Sequence, residues 1–462
     1  MDAFDKFLTN LPEVKGPEQK KLDFRTKFKW TLTILIAYFL LGVVPLDGLG
    51  ENALAQFEFL SIILGAEFGS IITLGIGPIV TASIILQLLN GSGIVKFDLH
   101  DANGKRRFQG WQKILAYFFI IFEAIIFVAA GGLTPEIGVS PAWLMIQLMI
   151  GGLMIMLMDE VVAKWGFGSG LSLFIAAGVS KSLMLALLNP LRQGVFGGSG
   201  PPQGALLQVI YHLSPQGGGI QDFGIQIAAI IATIVVFALA VFAMSMKVEI
   251  PLSFGRARGF GIRWPLNFMY TSNIPVILIA AVLANIQLGA RLLSARGAQW
   301  LGEFNEETGE AVSGFVTWLF PNRIPPAIIT GDITTIMVVQ SLFYITVMML
   351  GAMMFSMFWV KTAGMDSKNL AKQIMNSGLQ VPGFRRDPRV MERLLDRYIM
   401  PLAVMGGLTV GFIAALADLS GALTSGTGLL LAVMIIYQLY QEIAKQHQMD
   451  MHPLMRKFVE SN

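Results

Sequence analysis

The sequence contains no cysteine, which excludes disulfides and thiol chemistry. It has only four histidines (His100, His212, His447 and His452), and their scatter shows no metal-ligand spacing. Charged residues make up 14% of the chain, against about 25% in an ordinary soluble domain. With 54% of residues hydrophobic, a soluble core would be left with large adhesive patches, whereas a bilayer absorbs them. There is no G-x-x-x-x-G-K-S/T loop, no H-E-x-x-H and no G-x-S-x-G elbow. No ATP-driven or hydrolytic activity is therefore expected, and no cofactor or metal. The first 27 residues lack the apolar run of a cleaved signal peptide. The net charge of +3 does not by itself indicate nucleic acid.

What is present is a series of long apolar runs, at about 28–46, 73–92, 111–131, 142–163, 170–190, 224–246, 267–290, 333–360, 399–417 and 427–444. Roughly 20 apolar residues suffice to cross the hydrocarbon core, whereas barrel strands alternate over about ten. The runs predict an all-α polytopic membrane protein with ten transmembrane helices. A shorter apolar piece at about 54–66, ending at Glu67, cannot span. Phe4, Phe7, Leu8 and Leu11 fit a short interfacial helix as well as a solvated tail.

The basic residues set the orientation. With the N-terminus inside, 28 of the 33 Lys and Arg fall on the cytoplasmic side, leaving only Lys181, Arg192, Arg291, Arg296 and Arg323 elsewhere. Both termini are expected in the cytoplasm, with residues 1–27 and 445–462 as cytoplasmic segments.

Two halves, 28–190 and 224–444, echo each other. Gly75-Ile76-Gly77-Pro78-Ile79-Val80 opens the second span and Ser272-Asn273-Ile274-Pro275-Val276-Ile277 the seventh, at an offset of 197. Gly168-Ser169-Gly170-Leu171 opens the fifth, and Gly426-Thr427-Gly428-Leu429 the tenth, at an offset of 258. Five spans per copy is an odd number, so the second copy would enter from the opposite side, as an inverted repeat. In such folds Gly/Pro-interrupted helices mark the pathway. Here those starts present aliphatic side chains (Ile76 and Val80, Leu171 and Ile175) with no ionisable group. A coupled transporter places ionisable groups at its midplane, whereas an aliphatic constriction seals by dewetting. Glu123 is the acid deep within a span, as a gating element or a packed, hydrogen-bonded group. Two basic loops, one bearing Arg256 and Arg258 and the other Arg385 and Arg386, either obey the positive-inside rule or form a docking surface for an RNA-rich partner.

The segments Ile72 to Thr81, Gly168-Ser169-Gly170 through Gly178, Ser272 to Ile277, and Gly383-Phe384-Arg385 closely resemble the SecY family, channel subunits of the general protein translocase. The resemblance runs from about Asp23 to the C-terminus and is nearest the archaeal branch. It implies two inverted five-helix halves around an hourglass pore in the cell membrane. It places a pore ring at Ile76, Val80, Leu171, Ile175, Ile277 and Leu431, with leucines at 171 and 431 in a ring that is often isoleucine-rich. It also implies a plug helix near 54–66, a lateral-gate polar cluster of Thr81, Glu123 and Asn285, and ribosome docking through Arg256, Arg258, Arg385 and Arg386. Implied partners are small subunits of the SecE and Sec-beta type, the ribosome, signal sequences and nascent polypeptides, and membrane lipid. The alternatives are an inverted-repeat secondary transporter, or a scaffold or insertase that binds apolar helices without a pore.

Overall fold

In lipid a backbone must satisfy its own hydrogen bonds, so apolar runs of spanning length become helices. The structure, a computed structural model, describes residues 12–18, 22–52, 65–91, 94–95, 97, 102–191, 201–213, 220–254, 261–271, 273–294, 302–304, 311–376, 379–380 and 387–451. Its first half holds α1 (Phe24–Val43), α2 (Gly77–Gly91), α3 (Ala102–Ala129), α4 (Pro141–Trp165) and α5 (Gly170–Leu188). A short α6 (Ala205–His212) leads to α7 (Ile220–Ser245), α8 (Ile274–Ser294) and another short helix, α9 (Ile324–Thr330). The remainder comprises α10 (Thr335–Thr362), α11 (Ser367–Asn376), α12 (Pro388–Leu419) and α13 (Gly426–Met451). Among the described residues nine helices are long and apolar enough to cross a membrane. The second run departs from expectation: only Gly77–Asn90 of it is an apolar helix, shorter than a full crossing.

That shortening is built into α4. Its inward stripe is Leu144, Leu148, Gly151, Gly152 and Ile155. A Cβ on Gly151 would lie 1.8 Å from the Ile71 carbonyl oxygen, and one on Gly152 would lie 2.9 Å from Ile120 Cγ2. The two glycines therefore let the turns at 71–76 rest directly on the helix, where Gly75 takes a φ of +53°. Small residues at such crossings allow backbones to approach, which substitutes for the hydrophobic force that lipid does not supply between helices.

Outside the spans the chain forms small sheets that the apolar pattern did not announce. β1 (Leu49–Asn52) pairs with β2 (Leu133–Pro135). β3 (Lys247–Phe254) and β4 (Gly261–Asn267) make an antiparallel hairpin, and β5 (Glu303–Phe304) pairs with β6 (Ala311–Ser313). β7 (Leu379–Gln380) adds a third strand to the hairpin through Ser253 and Phe254. Ile250, Leu252 and Leu266 of the hairpin form a second apolar core with Ile374, Met391, Leu395 and Ile399 of α11 and α12. The N-terminal segment straps onto the end of α4: Glu160 accepts from the Val14 amide at 2.9 Å, and Lys164 pairs with Glu13. Hydrogen bonding to Lys164 holds the Glu13 carboxyl below its ordinary pKa. Phe4, Phe7, Leu8 and Leu11 lie outside the described residues.

Candidate functional site

The starts of α2 and α8 are built alike. The Ile76 carbonyl accepts from the amides of Ile79 (3.1 Å) and Val80 (3.0 Å). In α8 the Asn273 carbonyl accepts from Val276 and Ile277, both at 3.1 Å. These bonds repeat at the 197-residue offset read from the sequence, so Val80 and Ile277 hold the same place in the two halves.

The starts of α5 and α13 also match, but in a shifted register. Gly170 packs on Asp159, where a Cβ would lie 2.6 Å from its Cα; Gly426 packs on Ala417 and Asp418, with a Cβ 1.9 Å from Ala417 C. The glycines that make these contacts lie 256 positions apart, not the expected 258. Matching the two Gly-x-Gly strings letter for letter misleads, because close packing falls on the second glycine of one string and the first of the other. In the corrected register Ile175 corresponds to Leu431. Four of the six expected ring residues thus form two equivalent pairs.

Ile76, Val80, Ile175, Ile277 and Leu431 are all buried, at 9% exposure or less, and belong to one apolar core. Leu171 is half-buried and packs against that core. Their helices are mutually engaged: α5 lies on α13, and α8 contacts both α2 and α13. Of the expected plug, 54–64 lies outside the described residues. Its last residues are described: a Cβ on Gly65 would lie 3.5 Å from Phe174 Cβ and 3.7 Å from Ile76 Cγ2, and Ala66 is buried. Just beyond, Lys181 Nζ of α5 donates to Glu67 Oε1 at 2.6 Å.

The three residues of the expected polar cluster come together around Thr81 on α2. Asn285 Nδ2 of α8 donates to Thr81 Oγ1 at 3.2 Å. The Glu123 side chain of α3 also faces the Thr81 hydroxyl. The hydroxyl can accept from the amide and give its own proton to the carboxylate, so one threonine joins three helices. α2 packs against α8 and α10 as well as α3, which puts this cluster at the seam between the halves.

Arg256, Arg258, Arg385 and Arg386 lie outside the described residues. The segments that lead into them are described. Ser253 pairs with Gln380 and Phe254 with Leu379, so the two basic loops leave the same small sheet. In the sequence they are two separate loops, since two paired residues at 379–380 leave no periodicity to detect.

A correction concerns the acids. Glu123 is not the sole carboxylate within the helical body, because α12 runs past the apolar stretch and buries Asp418 at 7% exposure. Its Oδ1 accepts from the Thr427 amide at 2.6 Å, and its Oδ2 accepts from the Tyr344 hydroxyl at 2.7 Å and from the Thr427 hydroxyl. In the first half, half-buried Asp159 accepts from the Leu171 amide at 3.0 Å. An acid at the end of an apolar run reads in sequence as an interfacial charge, which hid both. Among the described residues, no group of three or more His, Asp or Glu is placed to hold a metal ion.

The SecY family model matches residues 70–440. The protein translocase subunit SecY of Methanothermobacter thermautotrophicus is 43% identical over 462 residues, covering 99% of this chain and 98% of the relative. A solved structure described as that of a protein conducting channel has a TM-score of 0.83 at 38% identity, covering 97% of this chain and 98% of that one. Sec61 in the canine ribosome-channel complex from the endoplasmic reticulum has a TM-score of 0.79 at 37% identity, covering 97% of this chain and 98% of that one.

Proposed function

The chain belongs to the SecY family, and from that premise we propose that it is the channel-forming subunit of a protein translocase, passing unfolded polypeptides across the cell membrane and releasing apolar segments sideways into lipid. The observation that supports this reading is that four helix starts, alike in two pairs, carry only aliphatic side chains at Ile76, Val80, Leu171, Ile175, Ile277 and Leu431, five of them buried in the apolar core and Leu171 packed against it. Such a collar offers no hydrogen bonds, so it grips any sequence equally and stays dry when closed. The secondary-transporter alternative finds no support among the relatives, which are translocase subunits and protein-conducting channels.

Sorting follows from the same geometry. A segment in the pore that meets lipid through the α2–α8 seam gains about 0.8 kcal/mol per buried CH₂, and a polar segment gains nothing. The Thr81, Glu123 and Asn285 cluster ties that seam shut. Glu123→Leu breaks the tie, and the hydrophobicity at which a test segment enters the bilayer should then change. An unchanged threshold with normal protein levels would leave Glu123 as a packing acid only.

In this reading residues 28–190 and 224–444 are the two inverted halves, both termini are cytoplasmic, and the plug occupies the outer funnel above Ile76. The arginines of the two loops joined by the β3–β7 pairing dock on the ribosome, as the similarity to the ribosome-bound Sec61 channel suggests. SecE- and Sec-beta-type subunits complete the complex, which receives signal sequences and nascent chains. Orientation is directly checkable because the chain has no native cysteine. Lys368→Cys, at an exposed position of α11 between the eighth and ninth runs, should react with an impermeant maleimide only from the cytoplasmic face. Labelling in intact cells would overturn the topology.

A further inference from the structure

We propose that Asp159 and Asp418 are paired positioning residues that set the closed diameter of the aliphatic collar. The inference rests on the reading of that collar as a pore ring. Each carboxylate stands near the end of the helix formed by the fourth apolar run of its half (α4 or α12) and accepts the backbone amide at the start of the next (α5 or α13): Leu171 in one half, Thr427 in the other. In each half the residue just before that amide is a glycine pressed against the acid's own backbone or its neighbour's. Ile175 follows Gly170 by five positions, as Leu431 follows Gly426. The joint therefore fixes a helix start one turn and a half from a collar residue, twice.

The chemistry of the joint is specific. The first amides of a helix have no partner within the helix, and a carboxylate satisfies one of them while favouring the positive end of the helix dipole. A glycine in contact makes the distance short and leaves little play, because a methyl group would meet Asp159 Cα at 2.6 Å. In the second half Tyr344 and Thr427 hold the other carboxylate oxygen, so the acid itself is tied to α10. Packing alone could have joined these helices. That both halves use an acid and a glycine at the same joint, although the acid stands 12 residues before its amide in one half and 9 in the other, argues that the position of the fifth helix, not merely its presence, is under control.

The test is ion leak through the purified, reconstituted translocase complex without substrate. Asp159→Ala should raise the leak roughly fivefold, the factor that corresponds to one lost capping bond, and Asp418→Ala, which also takes the acceptor from the Tyr344 and Thr427 hydroxyls, by more than that. Asp159→Asn, whose amide oxygen still accepts from Leu171, should stay near the wild-type level. Gly170→Ala leaves the carboxylate in place but pushes the helix start away, and should leak as Asp159→Ala does; it serves if an alanine cap variant fails to accumulate. Ile277→Asn in the same preparation tests the collar itself. If that variant leaks while the cap and glycine variants remain tight, or if Asp159→Asn leaks as much as Asp159→Ala, the positioning role is overturned and the ring stands. If Ile277→Asn does not leak, the ring reading fails and this inference goes with it.

Discussion

Asparagine at Ile76 or Ile277 is expected to make a reconstituted membrane leak ions through a channel that carries no substrate. Both side chains lie in the apolar core, with exposures of 1% and 9%, Ile76 at the last turn before α2 and Ile277 on α8. Replacing one of them removes about 2 kcal/mol of preference for a dry site, so the wetted population should rise on the order of tenfold or more. Water entering with the amide also relieves the cost of burying it, which is why protein levels should hold while the seal does not. Ile277→Leu keeps the apolar surface and should stay tight. The readout is single-channel conductance, and asparagine variants as silent as wild type would mean that these residues seal nothing.

Gly411→Leu is expected to cost about 3 kcal/mol or more of stability, near the upper end for overpacking. Gly407 and Gly411 lie one turn apart on α12 where it crosses α10. A Cβ on Gly411 would lie 2.6 Å from the Met348 carbonyl oxygen and 2.9 Å from Met349 Cα. These are backbone atoms that no rotamer change can move, so the helices must separate. Separation would also stretch the Ser356 hydroxyl, which donates to the Ala403 carbonyl at 2.6 Å, and the Tyr344–Asp418 bond. Thermal unfolding in mild detergent should show the loss. Phe412→Leu, on the neighbouring exposed face, should leave the transition where it was. A Gly411→Leu protein as stable as wild type would show that the α10–α12 crossing tolerates distance.

The long spans were legible because hydropathy over about 20 residues is a signal no soluble element imitates. The runs at 111–131, 142–163 and 333–360 fall within α3, α4 and α10, or extend past them by only two residues. The α12 helix starts eleven residues before its run at 399–417, since Pro388 to Tyr398 is amphipathic and packs on the hairpin core instead of lipid. The short α2 was marked only by Gly75, Gly77 and Pro78; that α4 makes room for its irregular lead-in depends on Gly151 and Gly152, seventy-odd residues away. Such a contact has no local pattern. The polar cluster came from family resemblance, and its centre on Thr81 came only from geometry, since Thr81 and Asn285 are separated by 204 positions. The acid caps escaped for the reverse reason: the pairs lie 12 and 9 residues apart, but across a helix end that read as surface.

The central claim is that an unfolded chain passes through the collar, and site-directed crosslinking of a translocation intermediate tests it most directly. A secretory chain arrested midway by a folded C-terminal domain is offered to translocases carrying a photoreactive residue at Ile76, Val80, Leu171, Ile175, Ile277 or Leu431, one at a time. Ile79, a neighbour on the same helix as Val80 and also buried, and Ile231, on the exposed face of α7, serve as references. The account predicts strong adducts to the arrested chain from all six positions, from both halves alike, and weak ones from Ile79 and Ile231. Adducts no stronger at the six than at the references, or confined to one half, would contradict it.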